Sequence, residues 1–400
     1  MRMLPGMITA LLLSIVAFGE TSWSVEPPVD ANIHLRGTLV NARLQFERER
    51  RGHVAFIGGS ITEMNGYRPM VMEILKRRFP DTEFEFTDAG ISSTCSTTGA
   101  FRLQDHVLSK GSVDLLFVEF AVNDDQDAGH SRRDCIRGME GIIRHTREHN
   151  PNADIVVTYF VNPEMLAIWQ AGEIPLSVAA HDSVARHYGV STINLAKEVA
   201  DQIDAGTLTW EQFGGTHPKP FGNAIAAGMI DRMMERAWGE PLSENASPES
   251  HAMSELLDTN SYVRGRLLPL DAANSLRGWT IQTPAWENLK GASRSRFSKS
   301  LLLCAEQPGD ELSLAFEGTA VGAYVLAGPD AGIVETSIDG GPYHETNLFH
   351  RFSKGLHYPR TVMFDADLVP GAHTLHVRIA ASKSPDSVGH AVRVLNFVAN

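Results

Sequence analysis

Four hundred residues exceed what one hydrophobic core ordinarily serves, so the length favours two domains. The composition is 43% hydrophobic, 21% charged and 8% aromatic, which excludes disordered and fibrous classes. A formal charge of -13 argues against a nucleic-acid partner, which would need a basic stripe to displace phosphate counterions. It also disfavours anionic membrane surfaces.

In chain order, Arg2 precedes the uncharged apolar stretch Met7–Phe18, and the small residues Ser22 and Ser24 stand just before Val25-Glu26-Pro27-Pro28. That pattern reads as a secretory signal over residues 1–24, too short for a comfortable membrane span. A secreted or periplasmic location is therefore expected, with no membrane span in the mature chain.

A short helix is expected near Leu39–Arg51. His53–Ile57 is a compact apolar run ending at Gly58-Gly59, the shape of a buried parallel strand entering a tight turn. Tyr67–Phe79 places Met70, Val71, Ile74 and Leu75 on one helical face. Phe84–Thr87, Asp114–Phe120, Asp154–Phe160 and Val190–Ile193 read as further strands, and Cys135–His149, Leu176–Tyr188 and Phe221–Trp238 as helices. The alternation predicts a three-layer α/β/α arrangement around a flavodoxin-like parallel sheet over residues 25–240.

Pro241–Ser254 is rich in Ser, Pro and Glu and reads as part of a linker over 241–258. Beyond it come short alternating runs such as Glu311–Phe316, Gly322–Leu326, Val334–Ile338 and Thr374–Ile379. Turn signals at Pro308-Gly309-Asp310, Asp339-Gly340-Gly341 and Pro370-Gly371 punctuate them. This predicts an all-β sandwich over 259–400. The three cysteines Cys95, Cys135 and Cys304 are too few for a disulfide framework, and their spacing fits no zinc pattern. They read as buried small hydrophobes.

Four short blocks carry the chemistry. Gly58-Gly59-Ser60-Ile61-Thr62 ends the first predicted strand, where glycines allow a sharp turn that presents the serine. Asp88-Ala89-Gly90-Ile91-Ser92 follows the second strand, and Ala121-Val122-Asn123-Asp124 follows the third. Thr216-His217-Pro218 precedes the last helix. Such positions are where open α/β sheets build their sites.

Over about His53–Trp238 these blocks resemble the SGNH (GDSL) hydrolase family, which carries Ser, Gly, Asn and His in that order. The resemblance implies a serine esterase with Ser60 as nucleophile and His217 as general base. It further implies an oxyanion hole of the Ser60 and Gly90 backbone N–H groups and the Asn123 side-chain amide. A serine hydroxyl needs an adjacent imidazole to take its proton, and the tetrahedral oxyanion needs preorganised donors.

The chain departs from the family pattern at three places. Gly59 stands where the acid of Gly-Asp-Ser is usual, and Ala121 replaces the glycine that opens the third block. Gly214 occupies the position of the family's acid, three residues before the histidine. Two arrangements then fit: a backbone carbonyl orients the imidazole in a Ser–His dyad, or Glu211 reaches in. That partner fixes the tautomer and stabilises the imidazolium.

Asp124, Asp125, Asp127 and His130 cluster after Asn123, but the calcium-loop spacing fails, so a solvated loop is expected. Neither a metal nor an organic cofactor is expected. His181 reads as structural on its helix, with the cleft lining as its alternative role. Trp169 is placed on a loop, either packed in the core or flanking the substrate as a sugar platform. The C-terminal part resembles the jelly-roll modules of some carbohydrate esterases through Phe316-Glu317-Gly318-Thr319 and Gly328-Pro329-Asp330-Ala331-Gly332. Together these features favour a short, acetyl-like ester on a carbohydrate. A lipase or thioesterase on the same scaffold, or an impaired glycan-binding protein, is the alternative.

Overall fold

The apolar run after Arg50 becomes a central strand because no face of it meets water: Val54, Ala55, Phe56 and Ile57 are fully buried. The computed structural model describes residues 30–400, and the expected signal segment 1–24 lies outside them. Asn32–Asn400 form one compact unit.

Six strands make the first sheet: β1 (Ile33–His34), β2 (Arg51–Gly58), β3 (Glu83–Gly90), β4 (Leu115–Glu119), β5 (Asp154–Thr158) and β6 (Ser191–Ile193). Their order is β1-β6-β5-β4-β2-β3. All neighbours run parallel except the two-residue edge strand β1. The chain winds from β2 outward to β3, then returns to the other side of β2 for β4. A crevice opens at such a reversal, at the C-terminal ends of the strands.

The α-helices are α1 (Val40–Leu44), α2 (Ser60–Glu63), α3 (Tyr67–Arg78), α4 (Ser96–His106), α5 (Arg132–His149), α6 (Pro163–Gln170), α7 (Leu176–His187), α8 (Leu195–Asp204), α9 (Trp210–Phe213) and α10 (Pro220–Trp238). Helices α3 and α10 pack together, while α5 packs between α4 and α7. These layers cover the sheet. Trp169 lies on helix α6, not on the expected loop. Asn162 starts that helix by accepting from the Met165 amide at 2.7 Å, and Pro163 supplies a first position with no amide to satisfy.

Residues 241–258 contain no helix or strand, yet they are fastened to the α/β layer. Arg48 donates to the carbonyls of Ser243 and Ala246, and Asn41 to that of Glu249. Buried Glu140 on α5 accepts the amides of Leu257 and Asp258.

Eleven further strands follow: β7 (Arg266–Leu268), β8 (Ala273–Arg277), β9 (Thr280–Gln282), β10 (Leu302–Ala305), β11 (Glu311–Gly318), β12 (Val321–Ala327), β13 (Ile333–Ile338), β14 (His344–Asn347), β15 (Tyr358–Asp365), β16 (Gly371–Ile379) and β17 (Val392–Ala399). They form two antiparallel sheets, β15-β12-β17-β10-β9 with β7 beside β17, and β14-β13-β16-β11-β8. Leu314, Val325, Leu375 and Val394 fill the space between them. Strand β12 is buried at every position, so it shows no polar alternation. Its other face, with Tyr324 and Leu326, joins the α/β core beside Leu302, Cys304 and Val398. The sandwich is thus docked by a whole sheet face.

Candidate active site

Strand β2 delivers Gly58, Gly59 and Ser60 to the crevice, and Ser60 becomes the first residue of α2. The turn tolerates no side chain at either glycine. A Cβ on Gly58 would lie 2.2 Å from Thr62 Oγ1, and one on Gly59 would lie 2.0 Å from Asn123 Oδ1. In this backbone Asn123 fills the space that a side chain at position 59, where the family has an acid, would need.

His217 arrives from the segment between α9 and α10. Its Nε2 lies 2.7 Å from Ser60 Oγ, within reach for proton transfer. Gly214 and Gly215 turn the chain there with φ of 104° and 91°. A Cβ on Gly214 would fall 2.2 Å from the Lys219 amide nitrogen. A carboxylate-bearing residue cannot occupy position 214 in this backbone. Glu211 is exposed. Among the described residues no carboxylate oxygen comes within ion-pair distance of the His217 ring, and Ser60 is the partner the ring has. The structure does not bring Glu211 to the imidazole.

Asn123 opens a π-helical turn, Asn123–Asp127, after β4. Its Nδ2 donates to Asp127 Oδ2 at 2.6 Å, and its Oδ1 has no partner among the described residues. Tyr358 on β15 donates to Asp127 Oδ1 at 2.7 Å, so the sandwich braces this turn. Gly90 ends β3 against α2, where a Cβ would lie 2.3 Å from the Glu63 amide nitrogen. Its own amide donates to Asp88 Oδ1 at 3.0 Å, and Asp88 pairs with Arg68 at 2.8 Å.

Residues 56–225 match the model of the GDSL-like Lipase/Acylhydrolase family. This segment is a GDSL-like acylhydrolase domain. The domain makes the protein a carboxylic ester hydrolase. Among solved structures, a two-domain esterase (CEX) active on acetylated mannans, co-crystallised with mannopentaose, is 20% identical. It covers 92% of this chain and 96% of its own, with a TM-score of 0.72. A second structure of a two-domain esterase (CEX) active on acetylated mannans is 21% identical, covering 92% and 97%, with a TM-score of 0.73. These likenesses establish the same two-part fold. No curated protein matches the chain in sequence.

The remaining candidates of the acylhydrolase domain are held by contacts of their own. His181 is fully buried, and its Nε2 lies 2.7 Å from Asp124 Oδ2; it cannot line the cleft, which corrects that alternative. Trp169 packs its ring against the core cluster with Lys197 over it at 5.9 Å.

Other residues shape the acylhydrolase site without any local motif to announce them. Buried Arg102 on α4 donates to the carbonyls of Gly58 at 3.0 Å and Ala89 at 2.7 Å, and burial lowers its pKa to about 10. Glu63 accepts from the Ser92 amide at 2.7 Å, from the Ser92 hydroxyl, and from Arg296 at 2.8 Å. Burial opposes ionisation of Glu63, but these donors hold its pKa below the usual carboxylate value. Arg296 also donates to the Gly90 carbonyl at 3.0 Å. Burial pushes Glu119, beneath Thr62, up to about 8.

A cavity of about 580 Å³ is lined by Arg51, Glu83 and Asp114. It opens at the N-terminal ends of the strands, opposite the nucleophile. A shallower groove of about 530 Å³ runs between Asp125–Gly129 and Phe349–Arg351, beside the Asn123 turn.

Proposed function

We propose that this protein is an extracytoplasmic serine esterase that removes short acyl groups, such as acetyl, from a carbohydrate. The observation that carries the reading is the 2.7 Å contact between Ser60 Oγ and His217 Nε2. Ser60 Oγ attacks the ester carbonyl while His217 Nε2 takes its proton. The imidazolium then returns that proton to the departing sugar oxygen, leaving an acyl-enzyme. Water, deprotonated by the same nitrogen, releases the acid.

The oxyanion would be met by the Ser60 amide, the Gly90 amide and Asn123 Nδ2. One Nδ2 hydrogen is spent on Asp127, which leaves the other to donate. Gly90 exchanges its bond to Asp88 for one to the substrate. With no carboxylate at His217 among the described residues, the base works as half of a Ser–His dyad.

Several features support the carbohydrate substrate. His217 is exposed, so an ester on a long polymer can reach the pair without threading a tunnel. The groove beside Asn123 combines acidic groups with Phe349 and His350. The fold extends over both parts of an esterase whose substrate is acetylated mannan. The apolar stretch after Arg2 supports export.

A panel of acetylated sugars and esters of increasing acyl length tests this reading. Preference for acetyl over long chains is expected, and a clear preference for long chains would replace it with a lipase or thioesterase.

A further inference from the structure

Behind the Asn123 turn lies a second group of chemically capable side chains that ester hydrolysis does not use. Cys95 sits at the N-cap of α4, Asp124 is fully buried, and His130 closes the loop that leads to α5. One ligand atom of each of these three residues lies within 4.8 Å of the other two.

A carboxylate offers about four acceptor positions, and three on Asp124 are filled. The Ser96 amide reaches Oδ1 at 2.8 Å, the Ser96 hydroxyl reaches Oδ2 at 2.6 Å, and His181 Nε2 reaches Oδ2 at 2.7 Å. The remaining position on Oδ1 faces His130 Nδ1 at 3.4 Å, and that buried nitrogen has no hydrogen-bond partner among the described residues.

A separation of 3.4 Å is long for an N–H···O bond, which prefers about 2.7–3.2 Å. Two ligands each about 2.0–2.1 Å from a tetrahedral ion stand about 3.3 Å apart. Outer contacts are present as well. Ser96 and His181 orient Asp124, and Thr97 Oγ1 lies 3.4 Å from His130 Nε2.

We propose that Cys95 Sγ, Asp124 Oδ1 and His130 Nδ1 bind a divalent cation of the zinc class. A thiolate and an imidazole beside one carboxylate favour such an ion over magnesium or calcium. Cys95 and His130 line a cavity of about 260 Å³ shared with Asp127, Tyr358 and Arg360, and the ion's fourth position opens to it. Binding displaces the Cys95 thiol proton to solvent. The ion would tie the turn that carries Asn123 to the start of α4. The sequence shows Asp124 and His130 only as part of an acidic cluster that fails the calcium-loop spacing, and Cys95 stands apart from it with no Cys-x-x-Cys pair to mark a site.

The test uses the full chain, stripped with a chelator and titrated with cobalt(II) and then zinc. One cobalt per chain is expected, with a thiolate-to-cobalt charge-transfer band that zinc abolishes. The band disappears in Cys95→Ser and persists in Cys304→Ser and Cys135→Ser, with circular dichroism reporting the fold of each. His130→Gln, at a partly exposed position, weakens cobalt binding by roughly 100-fold or more. A chain that binds no cobalt with such a band, or a band that survives Cys95→Ser or vanishes with Cys135→Ser, overturns the assignment. So does alkylation of Cys95 that saturating zinc leaves unslowed, which would mark a free thiol beside His130.

Discussion

Asn123 fills the space that a side chain at position 59 would need, its Oδ1 lying 2.0 Å from where a Gly59 Cβ would stand. The amide is short and is tied to Asp127, so it cannot swing aside freely. Gly59→Ala therefore pushes the Asn123 amide out of place. Loss of one oxyanion donor costs about 10²–10³ in kcat in comparable sites. A fall of that size is expected, with thermal stability reduced less than activity, as steady-state kinetics and thermal denaturation will show.

Asp88 competes for the Gly90 amide. A charged hydrogen bond of this kind is worth about 1.5–3 kcal/mol, and catalysis has to give it up. Asp88→Ala should raise kcat/KM by about tenfold while lowering the melting temperature, since Arg68 also loses its partner. A tenfold decrease would instead make Asp88 the group that shapes the loop.

Arg102 holds two carbonyls, those of Gly58 and Ala89, with a side chain that never reaches solvent. Replacement by Met leaves both carbonyls without that donor at the turn before Ser60. Destabilisation of about 3 kcal/mol is expected in denaturant titration, with activity lost beyond what the unfolded fraction explains.

Glu119 gives the fold a pH dependence of definite sign. The unfolded carboxyl ionises near its ordinary 4.5, while the buried one keeps its proton up to about 8. Between those values the folded state binds more protons than the unfolded state, so stability falls as pH rises. The decline between pH 5 and pH 8 should be on the order of 3 kcal/mol. Glu119→Gln should flatten it, a comparison that unfolding curves at several pH values make directly.

Much of the catalytic half was legible because its signals are local. The run at 53–57 is buried on both faces, and the Ser60, Gly90, Asn123 and His217 blocks each sit at a strand end or helix start. Helix α4 carries no amphipathic stripe for a pattern to show, because its first eight residues, Ser96–Leu103, are all buried. Helix α6, where the sequence reading places Trp169 on a loop, starts from an Asn162-Pro163 pair that serves equally as a turn or as a helix cap. The roles of Arg102, Arg296 and Tyr358 depend on contacts spanning 44, 206 and 231 positions, which no spacing rule reports. The contact that fixes His181 in the core joins it to Asp124, 57 positions away.

The dyad is the centre of the account. Glu211 makes no ion pair with the imidazole among the described residues, so Glu211→Ala should keep at least about half of the activity, within the small effect usual for an exposed residue.

The most direct measurement is turnover of an activated acetyl ester by the wild-type chain, Ser60→Ala and His217→Ala, side by side. A loss of about 10³-fold or more in both variants is predicted, with covalent labelling by an organophosphonate confined to Ser60 in the wild type. Turnover that survives in Ser60→Ala, or a label on another residue, would contradict it.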